Sequence, residues 1–160
     1  MDTQTWLMSA LFSMLPISEL RGAIPYATIR GIDLLPAALW CIAWNALVPI
    51  LAYIFLGTLN KVFLRIGWYR SFFERTVDKA RVKVHAKVEK YGYWGLLVFV
   101  AIPLPMTGAW TGALGAWILG MERRKAILAI IGGVIVAGII VTAVVGIVGA
   151  GASSIFIKQL

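Results

Sequence analysis

The chain has 160 residues, 61% of them hydrophobic and 14% charged, with a mean hydropathy of +0.87 and a formal net charge of +8. A soluble domain carries about 45–50% apolar residues, so this composition excludes one, and one cysteine excludes a disulfide scaffold or a cysteine metal site. The positive charge is gathered between apolar runs, which points to a membrane surface rather than nucleic acid.

Residues 5–30 form the first apolar segment. It has no basic leader and no small-residue cleavage site, so it does not read as a removed signal peptide. Pro16, Gly22 and Pro25 predict breaks in its helix. Around them lie Ser18, Glu19 and Arg21, the last two being the only charged residues from Trp6 to Ile29. A charge at membrane depth costs at least a few kcal/mol and marks a functional site by default. Residues two apart on a regular helix point to different sides, but in a broken loop both can line one cavity. The Arg21 guanidinium suits a phosphate. Glu19 can hold that arginine or take up a proton. The plainer alternative is that the two neutralise each other and stitch the loop.

Residues 34–57 carry no charge and exceed the ~20 residues of a membrane-spanning helix. Asn45 within them reads as interhelical glue, and Pro49 is a weaker signal. Nine of the fifteen Lys and Arg then fall in 61–90. Over 70–92, Val77, Val84, Val88 and Tyr91 recur at helical spacing among basic residues, which predicts an amphipathic helix on the cytoplasmic surface, with His85 on its polar face.

Residues 94–121 are again uncharged. As one helix they would be about 42 Å long against a hydrocarbon core of ~30 Å, and Pro103, Pro105 and Gly108 interrupt them. A half-helix beginning near Thr107, with Trp110 and Thr111 in its first turn, would aim backbone N–H groups at the membrane centre and so form an anion site without a charged side chain. Gly108, Gly112 and Gly115 equally suit close helix packing. Residues 126–152 make the last uncharged run, and Gly132, Gly133, Gly138 and Gly146 predict a close-packing helix, with a homodimer face as one use.

Residues 15–57 and 104–146 align at a constant offset of 89: Leu15 with Leu104, Pro16 with Pro105, Ala27 with Ala116, Ile29 with Ile118, Gly31 with Gly120, Asp33 with Glu122, Ala37 with Ala126 and Gly57 with Gly146. Internal repeats in apolar chains mark transporter-type architectures, with the site where the copies meet. If every apolar segment crosses once, the Lys and Arg, with Arg21 set aside within the membrane, divide ten inside against four outside. If 5–30 and 94–121 turn back as hairpins, the division is twelve against two, which obeys the positive-inside rule better. The expected fold is therefore an all-α integral membrane protein of two inverted repeats. Each is a Pro/Gly-broken re-entrant hairpin plus one transmembrane helix, and a basic amphipathic cytoplasmic helix joins them. Repeat one takes 1–60, the linker 61–92, repeat two 93–152 and a short tail 153–160. The alternative is a four-span bundle with proline kinks.

The strings PISELRGAIPYA, from Pro16, and IPLPMTGAWTGALGAW, from Ile102, resemble the two signatures of the small multidrug export proteins over essentially the whole chain. That family is similar to the DedA-type membrane proteins, whose two re-entrant hairpins each precede a transmembrane helix. They are implicated in moving lipid phosphates such as undecaprenyl phosphate, and some in proton-dependent drug tolerance. By position, Glu19 resembles the acidic residue of the first DedA hairpin, and Pro103 and Pro105 the break of the second. DedA proteins carry arginines around that second break. This chain has none between Trp94 and Gly120, and Arg21 stands as the substitute.

The resemblance and the residues together imply a multi-pass transporter of the plasma (inner) membrane, not an enzyme, without cofactor or metal. Its expected substrate is a lipid phosphate such as a polyprenyl phosphate, held by Arg21 and the hairpin tips. Its expected partners are membrane lipid and a second copy, and nucleic acid is not among them. Proton-coupled export of small cationic compounds through Glu19 is the alternative. A third possibility is a scaffold that docks a partner or anionic lipid through 70–90. The candidate site comprises Glu19, Arg21, Ser18, Thr107, Trp110 and Thr111.

Overall fold

The computed structural model describes residues 3–58, 65, 67, 71, 74, 75, 91–104 and 107–157, with side-chain burial to Gly149. The expected amphipathic helix over 70–92, its His85, and Pro105 lie outside the described residues apart from a few isolated positions. The described elements are all helical: α1 (Thr3–Met14), α2 (Glu19–Ile29), α3 (Leu34–Gly57), α4 (Tyr91–Ala101), α5 (Ala109–Ile118) and α6 (Arg123–Ile157).

The 89-residue offset holds at the level of backbone. Ile29 ends α2 and Ile118 ends α5, while Leu34 opens α3 and Arg123 opens α6. Both inner limbs stop in the same way. Gly31 (φ 90°) and Gly120 (φ 65°) take the left-handed conformation that favours glycine. The N–H after each glycine reaches back to an alanine carbonyl, Ile32 to Ala27 at 3.1 Å and Met121 to Ala116 at 3.0 Å, the two-bond helix stop built on a C′ glycine. Each following helix then starts on an acidic residue, with Ala37 N–H donating to Asp33 O and Ala126 N–H to Glu122 O.

The limbs pair as hairpins. Phe12 of α1 packs edge-on against Tyr26 of α2, with centroids 4.8 Å apart. In the second half, Val100 of α4 lies against Gly112 of α5. The tips sit at the waist of the long helices. Asn45, at the middle of α3, donates to the Ser13 carbonyl at the end of α1, while Trp40, earlier in α3, donates to the Trp6 carbonyl at 3.0 Å. At ~1.5 Å per residue, α1, α2, α4 and α5 are each too short to cross a ~30 Å core. Only α3 and Arg123–Gly149 of α6 have the length and apolarity to do so among the described residues.

The long helices run antiparallel. Gly146 lies against Leu34 and Gly138 against Ile42, and at the other end the Arg123 guanidinium stands over the Tyr53 ring, 5.7 Å from its centroid. If 5–30 and 94–121 each crossed once, α3 and α6 would run parallel. The core lies between them and the inner limbs, through Leu20, Ile24, Cys41, Val48, Leu96, Val100, Ala113, Ile130 and Val134. The α6 glycines that suggested a dimer face are used inside the chain: Gly133 abuts the Leu97 backbone and Val100 of α4, and Gly138 abuts α3.

Two expected breaks prove to be helical. Gly22 and Pro25 lie inside α2, and the first break is confined to Leu15–Ser18, so that Pro16 alone of the three stands in it. A proline in a helix interior costs ~3 kcal/mol through a lost backbone bond and a ring clash. Burial of Leu20, Ala23, Ile24 and Ala27 on the same short helix offsets that cost. Gly22 answers a local crowding: a Cβ there would strike the Ser18 hydroxyl.

Candidate functional site

The two hairpins meet tip to tip. Glu19 opens α2 and Gly108 precedes α5, and these are equivalent positions at the 89-residue offset. Glu19 holds φ 46°, a left-handed conformation that costs an L-residue roughly 1–2 kcal/mol. The turn at this point sends its side chain inward, where it is 7% exposed. Its carboxylate lies against Gly108, where the Arg21 charge and the backbone N–H groups of Trp110 and Ala109 act on it.

Those donors belong to the first turn of α5, whose leading N–H groups have no partner within the helix. A capping side chain at the preceding residue ordinarily takes them, but Gly108 has none to offer. The cap comes from the other half of the chain. Glycine is also what lets it approach, because a Cβ on Gly108 would fall inside the Glu19 carboxyl group. Glu19 thus occupies the place at the start of the second inner limb where the sequence suggested an anion.

A second bond fastens the same junction. Trp110 Nε1 donates to the Met14 carbonyl at 2.7 Å, tying α5 to the end of α1. Glu19, Leu20, Arg21, Asn45, Val100, Pro103, Thr107, Gly108, Ala109, Val134, Ala137 and Val141 line a cleft of ≈ 270 Å³, counting its open side. Its enclosed part holds about one water molecule. The lining comes from both hairpins and both long helices.

The other candidate residues divide. Arg21 also lines the cleft; among the described residues it makes no close ion pair with Glu19, although its charge acts on the Glu19 carboxylate. Thr107 lines the cleft, yet its hydroxyl donates within its own loop, to Ile102 O at 2.7 Å and Leu104 O at 2.8 Å, and accepts from Leu104 N–H. Pro103 lies in the cleft wall. Ser18 packs under Gly22, and Thr111, two residues past Ala109, is not part of the lining. Asn45 and the α6 residues Val134, Ala137 and Val141 complete the cleft. Asn45 had a signal, an amide in an uncharged span, but the three apolar residues had none, because only the packing of α6 against the tips brings them there.

No curated protein and no solved structure matches the chain. The model of the family described as "Putative small multi-drug export protein" matches residues 19–140, a stretch that begins on Glu19 and takes in the cleft lining up to Ala137. With Glu19, the second hairpin and the greater part of both long helices inside that match, which spans more than half of the chain, the chain belongs to the small multi-drug export protein family.

Proposed function

We propose that the protein is a multi-pass transporter of the plasma membrane that exports small cationic compounds in exchange for protons, with Glu19 as the exchanging carboxylate. One observation carries this reading: a buried carboxylate from one half is clasped at the bare helix start of the other, with the Arg21 charge also acting on it. Charge-assisted bonds are roughly twice as strong as neutral ones. A proton on Glu19 removes the charge, and a cation bound to it competes for the same oxygens. Either event weakens the clasp, and the two exclude each other, which is the logic of antiport. Arg21, two residues on and lining the cleft, is placed to receive the carboxylate once it leaves α5.

The topology that goes with this reading has both hairpins re-entrant and the two repeats inverted. Antiparallel α3 and α6, limbs of 10 to 12 residues and tips beside the middle of the long helices support it. Kinship with the DedA-type proteins rests on the same hairpin-plus-helix arrangement.

A second reading is translocation of a lipid phosphate. The Arg21 guanidinium, lining the cleft without an ion pair among the described residues, favours it. Against it, a phosphate at the start of α5 would have to displace a carboxylate of its own sign.

Purified protein in liposomes with an imposed pH gradient separates the two. Under the first reading, Glu19→Gln stops export of a cationic dye and Arg21→Ala only slows it. Under the second, Arg21→Ala abolishes movement of a polyprenyl phosphate and dye is never carried. Dye export at the wild-type rate by the Glu19→Gln protein would overturn the first reading.

A further inference from the structure

A separate cluster of hydrogen-bond donors lies at the far end of α3, away from the cleft. Tyr53 stands one turn before the end of that helix. Its side chain is 5% exposed, and its hydroxyl is buried without a hydrogen-bond partner. Buried polar groups are ordinarily satisfied, and leaving one unpaired costs ~1–3 kcal/mol. Two groups lie near it without bonding to it. The Arg123 guanidinium covers its ring, and Arg123 and Tyr93 are the charged and polar groups that act on its hydroxyl.

The rest of the cluster is also rich in donors. Arg123 is the first residue of α6, where leading N–H groups are free and the helix dipole is positive. Tyr93 Oη accepts from the Glu122 N–H at 3.2 Å, which leaves its own O–H to donate outward. Arg124, the next residue of α6, is exposed. The carboxylate present, Glu122, is already engaged by Lys125 at 2.6 Å. Arg123, two phenolic hydroxyls and a helix start thus lie together, and the carboxylate at this helix start is already paired.

We propose that Tyr53, Arg123 and the first turn of α6 bind a phosphate group, at a site distinct from the Glu19 cleft. The guanidinium supplies the fork that matches phosphate oxygens, the helix start supplies N–H groups, and the Tyr53 hydroxyl gains its missing partner. The position is one turn inside the end of a membrane-length helix, the level at which tyrosines meet headgroups. A phospholipid headgroup and a soluble phosphate offer the same chemistry there.

The test uses the full chain in detergent and reads thermal stability against two probes, inorganic phosphate and short-chain phosphatidylglycerol. Wild type is expected to gain stability with at least one. A gain with phosphatidylglycerol alone assigns a headgroup, and a gain with inorganic phosphate assigns a soluble ligand. Tyr53→Phe removes only the hydroxyl, so without probe it should be as stable as wild type or more so. It should bind the active probe roughly 10-fold more weakly. Arg123→Gln should weaken binding by more than Arg123→Lys. Equal binding by wild type and Tyr53→Phe, or no response of wild type to either probe, overturns the proposal.

Discussion

Replacing Gly108 by alanine tests the junction between the two halves most directly. The added methyl would fall within the Glu19 carboxyl group, 2.6 Å from its carbon and 2.7 Å from one oxygen, with the other oxygen closer still. The carboxylate sits against the backbone of α5, so the methyl must expel it. Overpacking costs about 1–3 kcal/mol. Each N–H of Ala109 and Trp110 left without an acceptor adds ~1–3 kcal/mol. A loss of roughly 3–9 kcal/mol follows, or on the order of 10–30 °C in melting temperature for a chain of this length. Glu19→Asp shortens the side chain by one methylene and leaves room for the methyl. Thermal unfolding of wild type, both single variants and the double variant in one detergent measures the coupling. The double variant should be more stable than the sum of the single losses implies, by at least ~1 kcal/mol. Additivity within ~0.5 kcal/mol, as for independent sites, would refute the contact.

Three further outcomes are expected. Trp110→Phe keeps the ring but loses the bond to the Met14 carbonyl, so the melting temperature should fall by about 2–4 °C, the equivalent of ~1 kcal/mol. Gly133→Ala would place a Cβ 2.7 Å from the Leu97 backbone oxygen and force α4 and α6 apart, whereas a Cβ at Gly149 meets nothing; the first should cost ~1–3 kcal/mol and the second almost nothing, read from the same unfolding curves. Single cysteines at Asp33 and at Arg124, in a protein whose buried Cys41 is replaced by serine, should label from opposite sides of the membrane. Labelling from one side would remove the inverted arrangement and the transport reading with it.

The local structure was legible because it is written twice. Gly31 with Gly120 and Asp33 with Glu122 mark the end of one helix and the start of the next, and those marks depend only on neighbours in sequence. Pro25 misled for the same reason. A proline weighed by local cost ends a helix, whereas here tertiary burial of Ile24 and Ala27 carries α2 through it. At the site, the sequence pointed to a charge at depth and to a helix start that welcomes an anion. That Glu19 is itself the anion was not legible, since the contact joins residues 89 apart through a backbone turn with positive φ. The Tyr53 hydroxyl was silent too, because a tyrosine near the end of an apolar helix is ordinary until its surroundings are known.

Glu19 and Gly108 occupy the same place in their respective copies, and they touch. In an assembly of two identical single repeats, that contact would join a residue to its own twin. Two glutamates would set like charges together in a tight space, and two glycines would leave the helix start without a cap. Neither matched pair can hold one carboxylate against one bare helix end. In this chain the two positions carry unlike residues, so the chemistry at the junction depends on a difference between two stretches that otherwise align.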